Sequence, residues 1–423
     1  MRKKLAGINY IDLFAGAGGL SEGFFREGFT PVAHVEKDKA ACLTLKTRIA
    51  KQYLENIEQL ERYQEYLKGE ISRSKLYGLI PEKKLDSVYN YEISDDNINE
   101  LFTSIDDQLQ SMDRKKIDII IGGPPCQAYS LVGRSRIGAS ISSDKRNFLF
   151  RLYGQFLEYY KPSLFVFENV PGLITAGDGE YFIELKTYFN SLGYDLQEKK
   201  LNSADFGVLQ NRKRIILIGW KKNIKYSYPV FPVDRETSSV MDLFKDLPEL
   251  KAGETYTNFE YKEPVSTLLK KLKLRNNSNI LTQHIARKHN DRDLRIYKRA
   301  IQLWSNEKKR LRYKDIPEKD KTHRNEKTFN DRFKVVNGGG YSHTVVAHIA
   351  KDGHYYIHPD INQLRSLSVR EAARIQSFPD DYFFEDSRTS AFKQIGNAVP
   401  PLMAQKIAKA IKETFNFNGY TDT

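Results

Sequence analysis

The chain has 423 residues, of which 40% are hydrophobic, and this is enough for a sizeable buried core. No segment approaches the roughly 18 consecutive apolar residues of a membrane span, and the first residues lack the apolar core of a signal peptide. Cys42 and Cys126 are the only cysteines. A disulfide framework and a cysteine-rich zinc module are therefore excluded, and we expect a protein of a reducing compartment.

The net charge of +13 is confined to one part of the chain. Residues 261–340 carry +13, whereas residues 1–220, 221–260 and 341–423 carry +1, −1 and 0. A confined basic segment is typical of a surface that binds a polyanion, and a solvated charged insertion is the alternative. Binding to a membrane surface is less favoured, because the segment has no amphipathic stripe with aromatic anchors.

The first 35 residues predict a strand, a tight turn and a helix, in INYIDLFA, AGAGG and LSEGFFREGF. PVAHVEKD predicts a second buried strand, and residues 39–70 have helical spacing. A polar stretch follows to about residue 90. Because the charge of residues 50–90 is close to balanced, we expect a surface decoration there rather than an arm that contacts a polyanion.

Three further apolar runs predict buried strands: KIDIIIGG (116–123), PSLFVFENV (162–170) and RIILIGW (214–220). Strands that are apolar on both faces and alternate with helical segments indicate a parallel α/β sheet. After Trp220 the sequence becomes polar, basic and only weakly periodic, which predicts a domain boundary near 221–226. Helical periodicity returns in SVREAARIQSF and in the last twenty residues.

Gly16, Gly18 and Gly19 follow the first strand and precede a helix, where missing β-carbons let a ligand approach the backbone. Glu36 closes the second strand about twenty residues later, where a carboxylate can accept hydrogen bonds from a ribose. The pattern favours a nucleoside cofactor. A glycine turn needed only for steric reasons is the alternative.

GGPPCQAYS (122–130) places Cys126 in a constrained loop at the carboxyl end of a strand, where α/β sheets bind ligands. This position favours a nucleophile over a packing residue, in contrast to Cys42 within an apolar helix. Glu168 ends the next strand and can act as a proton donor or hydrogen-bond partner, or only cap the following turn. Arg212 and Arg214, two residues apart, are either surface charges or a fork for a phosphate or carbonyl oxygen.

Taken in order, these motifs resemble those of the DNA cytosine-5 methyltransferases. The matching segments are DLFAGAGGLSEGF (12–24), GGPPCQAYS (122–130), ENV (168–170), QNRKR (210–214), RSLSVREAARIQSFPD (365–380) and QIGNAVPP (394–401). The resemblance implies a Rossmann-like S-adenosylmethionine-dependent methyltransferase domain with a smaller target-recognition domain. Residues 1–225, completed by 388–423, would form the catalytic domain, and residues 226–387 would form the recognition domain and hinge.

The resemblance also implies the catalytic roles. The enzyme would flip a cytosine out of double-stranded DNA, and Cys126 would add to carbon-6 of the ring. Glu168 would hold the ring nitrogen and amino group. Arg214, with Arg212 nearby, would grip the carbonyl oxygen. Carbon-5 would take the methyl group from S-adenosylmethionine and leave S-adenosylhomocysteine.

By the same resemblance, the cofactor would lie against the turn after the first strand and against the carboxyl ends of the next strands. The residues implied are Phe14, Ala15, Gly16, Gly18, Gly19, Leu20, Glu36, Glu92, Ile93, Pro124 and Asn397, with Asp95 as the alternative to Glu92 in a shifted register. DNA contacts would come from Gln127, Ser130, Arg134 and Thr344, and from the basic segment, where Arg275, Arg287, Arg292 and Arg295 are candidates to read bases.

Other functions remain open. A transfer RNA methyltransferase of the same fold usually has a Cys-Phe-Thr motif, and residues 221–340 contain no cysteine. A catalytically silent DNA-binding relative would have lost Cys126 or Glu168. A nucleotide-binding oxidoreductase would leave the Pro-Cys-Gln and QNRKR motifs unexplained. The resemblance implies a monomer in the bacterial cytoplasm, often beside a cognate restriction endonuclease.

We expect no metal. His354 and His358 are four residues apart in a segment that reads as a strand, which would place both on one face. The local sequence supplies no third ligand to complete a site with them.

Overall fold

A computed structural model describes residues 7–125, 149–275, 280–321 and 330–417. Its main sheet has seven strands in the order β3-β2-β1-β4-β5-β8-β6, and β7 pairs with β9 in a second, two-stranded sheet. The strands are β1 (Asn9–Leu13), β2 (Thr30–Glu36), β3 (Val88–Asn90), β4 (Ile119–Gly122), β5 (Leu164–Asn169), β6 (Tyr194–Asn202), β7 (Gln210–Asn211), β8 (Lys213–Lys221) and β9 (Ser342–His343).

The α-helices flank this sheet and continue into the second half of the chain. In chain order they are α1 (Gly19–Arg26), α2 (Lys39–Asn56), α3 (Leu60–Leu67), α4 (Arg73–Gly78), α5 (Glu82–Leu85), α6 (Ile98–Ser111), α7 (Leu149–Tyr160), α8 (Glu180–Ser191), α9 (Thr267–Lys271), α10 (Asp291–Glu307), α11 (Val369–Ile375), α12 (Arg388–Asn397) and α13 (Pro401–Thr414). In the parts of the chain described here, none of these helices has the length and apolar character to cross a membrane.

The sheet is mixed rather than wholly parallel. Strands β3, β2, β1, β4 and β5 pair in parallel. The buried runs predict β2, β1, β4 and β5, whereas β3 lies in the stretch up to residue 90 where the sequence predicts no strand. Strand β8 instead runs antiparallel to both β5 and β6. The prediction of a parallel strand at 214–220 was wrong, because only the short segment 203–212 joins β6 to β8, and it is too short for a helical crossover. The sequence did not predict β6, because YDLQEKKLN is charged and half-exposed at the sheet edge.

Apolar side chains cover both faces of the sheet, and this explains its continuous hydrophobic runs. In β1, Tyr10 packs on one face and Ile11 and Leu13 on the other. Helices α1 and α13 cover the first face and helices α6, α7 and α8 the second. Because α1 and α13 pack together, the two ends of the chain meet beside the glycine turn, as the sequence predicts.

The segment after β8 shares its core with the sheet. Val240, Leu269 and Phe378 belong to the same buried cluster as Tyr10 and Ile407. A smaller cluster forms around α10 with residues 311–316 and 333–335. Apolar packing therefore continues across residue 225, and the division into two domains at that point stays a prediction.

Residues 50–90 form a brace and not a surface decoration, so that expectation was wrong. The short helices α3, α4 and α5 enclose a buried cluster that Ile280 and Phe383 join from the second half of the chain. The Glu385 carboxylate is the polar centre of this contact. It accepts hydrogen bonds from the hydroxyls of Thr47 (2.5 Å) and Tyr66 (2.6 Å) and pairs with Arg73 at 3.2 Å.

We expect Glu385→Gln to lower the free energy of unfolding by about 2 kcal/mol, since it weakens several hydrogen bonds to a buried charged group. Arg73 is largely exposed, so its ion pair adds little to this figure. Urea denaturation measures the change. Glu61→Gln, on the exposed side of α3, should change stability by less than about 0.5 kcal/mol. Equal stability of the two variants would contradict the bracing role.

Candidate active site

A tight turn after β1 forms one wall of the site. Phe14, Gly16 and Gly18 all have positive φ angles, of 56°, 54° and 77°, and α1 begins at Gly19. Glycine adopts such angles without strain, which explains two of the three residue types. The turn lies at the carboxyl end of β1, where the family resemblance places the cofactor.

Glu36 holds this turn in place. Its Oε2 accepts a hydrogen bond from the Gly16 N–H at 2.8 Å, and its Oε1 accepts one from the Asp38 N–H at 2.8 Å. Burial raises the pKa of the Glu36 carboxyl, while the two backbone donors oppose that shift. The carboxylate is thus anchored where β2 ends, beside the turn.

The chain's C-terminal motif backs the same turn. A β-carbon on Gly19 would lie 2.3 Å from the carbonyl oxygen of Val399 and 3.0 Å from the β-carbon of Ala398. The segment after Asn397 therefore touches the backbone of the turn. Asn397 itself is the last residue of α12 and is exposed. Its place in the cofactor pocket stays a prediction.

The other cofactor candidates differ in how much of each side chain is buried. Leu20 and Ala15 are buried, Phe14 is partly buried, and Ile93 packs in the same apolar cluster as Phe14. Glu92 follows β3 but is 73% exposed and pairs with Lys37 at 2.8 Å. The alternative, Asp95, accepts a hydrogen bond from Gln155 at 2.8 Å.

Glu168 and Arg214 form an ion pair at the carboxyl end of β5. The Arg214 Nε lies 2.7 Å from the Glu168 Oε1, and the two side chains are 11% and 13% exposed. Antiparallel pairing of β5 with β8 brings the two residues together, since Glu168 faces Ile216 across the ladder. The pair stays accessible from one side, as groups that meet a substrate must.

The loop after β4 lies directly beside this pair. A β-carbon on Gly123 would lie only 2.7 Å from the Glu168 Oε2, so only glycine admits the carboxylate there. The Asn169 amide donates to the carbonyl of Pro124 at 3.3 Å, and this bond secures the start of the loop. Cys126, Gln127, Ser130 and Arg134 lie outside the described residues.

Arg212 does not lie beside Arg214 as the spacing suggests. A break between β7 and β8 turns its side chain into the core, where it is fully buried. Its guanidinium donates to the carbonyl oxygens of Val345 at 2.6 Å and Gly396 at 3.1 Å. The residue joins three distant segments and does not face the site.

Two buried glutamines extend this junction. The Gln210 Nε2 donates to the Gln376 Oε1 at 2.6 Å, and the Gln210 Oε1 accepts from the Val345 N–H at 2.7 Å. The Gln376 Nε2 in turn donates to the carbonyl of Ile395 at 2.6 Å. In the sequence, Gln210 and Gln376 lie in two separate motifs, and nothing there indicates that their side chains contact each other.

Thr344 lies against the same junction. It follows β9, and its hydroxyl donates to the carbonyl of Asn211 at 2.7 Å. Tyr356 donates to the carbonyl of Thr344 at 3.0 Å. Thr344 therefore lies beside the short β7–β9 sheet, whereas Glu168 and Arg214 belong to the main sheet.

The four arginines considered for base reading differ in their surroundings. Arg275 is buried and binds Asp246 at 2.7 Å, with its guanidinium over the ring of Tyr261. Arg287 donates to the carbonyl of Ala350 at 2.5 Å. Arg295 is 54% exposed and pairs with Asp320. Structural roles therefore explain Arg275 and Arg287, which leaves Arg292 and Arg295 as the more accessible of the four.

The three arginines of residues 365–380 have structural roles that the sequence did not reveal. Arg365, Arg370 and Arg374 are all buried. Arg374 pairs with Asp246 and Asp380, both at 2.5 Å. Arg365 pairs with Glu371 at 2.7 Å. These arginines and their acidic partners lie in the protein interior and are not accessible to solvent.

Asp12 is an acid that sequence reasoning did not single out. It is buried within β1, and its Oδ2 has no hydrogen-bond partner among the described residues. Burial, together with the nearby charge of Glu36, raises the pKa of Asp12 well above its usual range. An acid inside the apolar run NYIDL was the available signal.

His354 and His358 do not form a site with each other. The His358 Nε2 faces Glu371 at 3.6 Å, whereas the His354 Nδ1 contacts the Tyr297 hydroxyl at 2.8 Å. His354 instead lies near His289 and Asp293.

An α/β sheet with this strand order, a glycine turn after β1 and an acid closing β2 defines a Rossmann-like methyltransferase domain. Among solved structures, one similar fold is a prophage-encoded protein of E. coli described as a DNA modification methyltransferase. It has a TM-score of 0.64 and 22% identity, and the similarity covers 97% of this chain and 100% of that one. A methyltransferase of Entamoeba histolytica has a TM-score of 0.53 with 14% identity and covers 97% and 100% of the two chains.

The chain belongs to the C-5 cytosine-specific DNA methylase family, whose model matches residues 8–72 and 81–413. It is 46% identical to the type II methyltransferase M.Bpa9945I of Bacillus paralicheniformis, over 96% of this chain and 99% of that protein. It is 32% identical to the type II methyltransferase M1.HphI of Haemophilus parahaemolyticus, over 96% and 86%. The protein is thus a DNA cytosine-5 methyltransferase, as the motifs predict.

We expect Gly19→Ala to weaken S-adenosylmethionine binding at least tenfold, about 1.4 kcal/mol, because the new β-carbon would force the turn away from Val399. Isothermal titration calorimetry measures the affinity. Gly78→Ala is the matched control, since no atom lies within 4 Å of its β-carbon position. Unchanged affinity in Gly19→Ala would contradict the role of this contact.

Arg212→Met and Arg214→Met should separate structure from chemistry. We expect Arg212→Met to lower the free energy of unfolding by about 3 kcal/mol, since it leaves two buried carbonyls without a charged donor. Arg214→Met should cost about 1 kcal/mol, because its ion pair is partly hydrated, yet reduce methyl transfer more than a hundredfold. Urea denaturation and methyl-transfer rates give both quantities. A stable, fully active Arg214→Met enzyme would refute this assignment.

Proposed function

We propose that the protein transfers the methyl group of S-adenosylmethionine to carbon-5 of a cytosine flipped out of double-stranded DNA, with Cys126 as a covalent nucleophile. The observation that carries the proposal is the Glu168–Arg214 ion pair beside residues 123–125. Cys126 is the next residue in the chain. The described part of the loop that leads to Cys126 therefore lies beside an acid and a cation, which supports a site where a nucleophile would act together with them.

In this mechanism the Cys126 thiolate forms a bond to carbon-6 of the ring, and the electron pair of the C5–C6 double bond becomes available at carbon-5. S-adenosylmethionine, when bound, supplies an electrophilic methyl group to that carbon. A base then removes the proton of carbon-5, the double bond forms again and the thiolate leaves. Because a stacked cytosine is unreachable, the base must first leave the duplex.

Glu168 stabilises the charge that develops during the first step. Its carboxyl group, hydrogen bonded to the ring nitrogen N3 and the amino group, favours the electron distribution of the adduct. Arg214 keeps that carboxyl group in one orientation through the 2.7 Å contact and can grip the carbonyl oxygen of the base. Gly123 leaves the space in which this carboxyl group lies.

Arg212 acts through position rather than contact with the base. Its buried bonds to Val345 and Gly396 hold β7, β9 and α12 together. We therefore assign it as a positioning residue, which departs from the sequence-based expectation that it joins Arg214 at the carbonyl oxygen.

The residues around the glycine turn fit S-adenosylmethionine. Glu36 would accept hydrogen bonds from the ribose, and Phe14 and Ile93 would flank the adenine in the apolar cluster that they share. The turn of Ala15, Gly16, Gly18, Gly19 and Leu20 would surround the methionine end, closed by Pro124 and Asn397. The unpartnered buried oxygen of Asp12 adds a polar group behind the turn. Glu92 is the least supported of these residues, since Lys37 already engages it.

DNA would bind across the basic region. We infer contacts from Gln127, Ser130, Arg134 and Thr344, and phosphate contacts from residues 261–340 within a recognition domain at 226–387, whose lysines and arginines make affinity salt-dependent. A monomer suffices, since both halves of the site lie in one chain. The type II relatives support a cognate restriction endonuclease as partner.

The test is transfer of labelled methyl from S-adenosylmethionine to mixed-sequence duplex DNA, run beside transfer RNA. We expect label in DNA only. Cys126→Ser should reduce the rate at least a thousandfold, because the hydroxyl is a far weaker nucleophile. Cys42→Ser, at the only other cysteine, keeps the donor to the Glu36 carbonyl and should retain activity.

A second experiment isolates the covalent step. Duplex DNA with fluorine at carbon-5 of cytosine has no proton to lose, so the bond between Cys126 and carbon-6 should persist and be seen as an adduct on a denaturing gel. Label in transfer RNA, full activity of Cys126→Ser, or the absence of an adduct with active enzyme would each overturn the corresponding part of the proposal.

A further inference from the structure

Two histidines and an aspartate meet in the interior of the second half of the chain, apart from the Glu168–Arg214 pair. His289, Asp293 and His354 are only 9%, 8% and 6% exposed. One ring nitrogen of each histidine and one carboxylate oxygen all lie within 4.8 Å of one another. These three atoms are close enough for one cation to contact all of them after small side-chain shifts.

Local structure delivers the three residues from two segments. His289 precedes Asn290, which caps α10 by accepting a hydrogen bond from the Asp293 N–H at 2.9 Å. Asp293 therefore lies in the first turn of that helix, next to His289. His354 comes from a loop in which Asp352 accepts a bond from the His354 N–H at 3.0 Å. A shared ligand would link α10 to this loop.

Hydrogen bonds to two hydroxyls orient both histidines. The His289 Nε2 lies 3.0 Å from the Ser366 hydroxyl, and the His354 Nδ1 lies 2.8 Å from the Tyr297 hydroxyl. The Tyr297 hydroxyl is 3.4 Å from the His289 Nδ1, too far for a strong bond. If the nitrogens that face Ser366 and Tyr297 carry the protons, lone pairs remain on Nδ1 of His289 and Nε2 of His354. This is how metal-binding histidines are usually held.

Most arginines around the cluster bind other groups, whereas Arg292, which is 38% exposed, lies 3.3 Å from the Asp293 Oδ1. Arg287 donates to the Ala350 carbonyl, Arg332 lies 3.3 Å from Asp352, and Arg388 donates to the Ala286 carbonyl.

We propose that His289, Asp293 and His354 bind one Zn²⁺, with water completing a tetrahedral site. Two imidazoles and a carboxylate are ligands that zinc prefers, whereas Ca²⁺ and Mg²⁺ prefer oxygen ligands only. The ion has a structural role: it joins α10 to the loop at 351–354 and so stabilises the small core of residues 296–301, 311–316 and 333–335. This revises the expectation of a metal-free chain.

The experiment uses the full chain, treated with a chelator and then titrated with ZnCl₂ by calorimetry, with a melting curve at each metal level. We expect one Zn²⁺ per chain and a higher melting temperature with zinc, because a ligand that binds only the folded state stabilises it. Asp293→Asn should weaken zinc binding at least tenfold, and His354→Gln should abolish it.

His348→Gln changes an exposed histidine and is the matched control for surface binding; it should bind zinc like the original chain. If His354→Gln does not fold, the absorption spectrum of Co²⁺ in the original chain and in Asp293→Asn decides, since tetrahedral nitrogen and oxygen ligands produce an intense visible band. Zinc binding that is absent, or unchanged in folded Asp293→Asn and His354→Gln, would show that the cluster is a hydrogen-bonded core without metal.

Discussion

The structure depends on a buried junction of two amides and one guanidinium. Gln210 bonds to Gln376, and Arg212 bonds to the backbone of Val345 and Gly396. These groups bring together segments that are more than 130 residues apart in the chain. Each is buried, so removing one partner would leave the others unsatisfied in a low-dielectric interior. The junction places Thr344 and Asn397 relative to the sheet that carries Glu168.

The site combines this rigid junction with a less enclosed edge. The Glu36 carboxylate secures the glycine turn, and the Val399 carbonyl backs it so closely that only glycine fits at position 19. By contrast, the Glu168–Arg214 pair keeps part of its surface accessible. A substrate base needs such an opening, whereas the residues that position the site must stay fixed. Preorganised groups of this kind stabilise developing charge without reorganising during the reaction.

Helices α3 to α5 and the His289–Asp293–His354 cluster show how the remaining segments are held. Residues 50–90 brace residues 381–385 through the Glu385 carboxylate, and the cluster joins α10 to the loop at 351–354. Each of these contacts uses a small number of polar side chains to link segments that are distant in sequence. Within the basic segment, Arg275 and Arg287 serve internal contacts, since Arg275 pairs with Asp246 and Arg287 donates to the carbonyl of Ala350.

Local patterns in the sequence determined the strands at 9–13, 30–36, 119–122 and 164–169, the glycine turn and the position of Glu168, because burial on both faces produces apolar runs and tight turns need glycine. The sequence alone did not determine the direction of β8, the existence of β6, the brace at 50–90 or the meeting of His354 with His289 and Asp293. In the sequence, Arg212 and Arg214 looked equivalent because they lie two residues apart in one motif. Tertiary packing buries Arg212 in the core and leaves Arg214 at the site. Only the folded chain decides such choices, since each depends on which distant carbonyl, carboxylate or apolar surface a side chain meets.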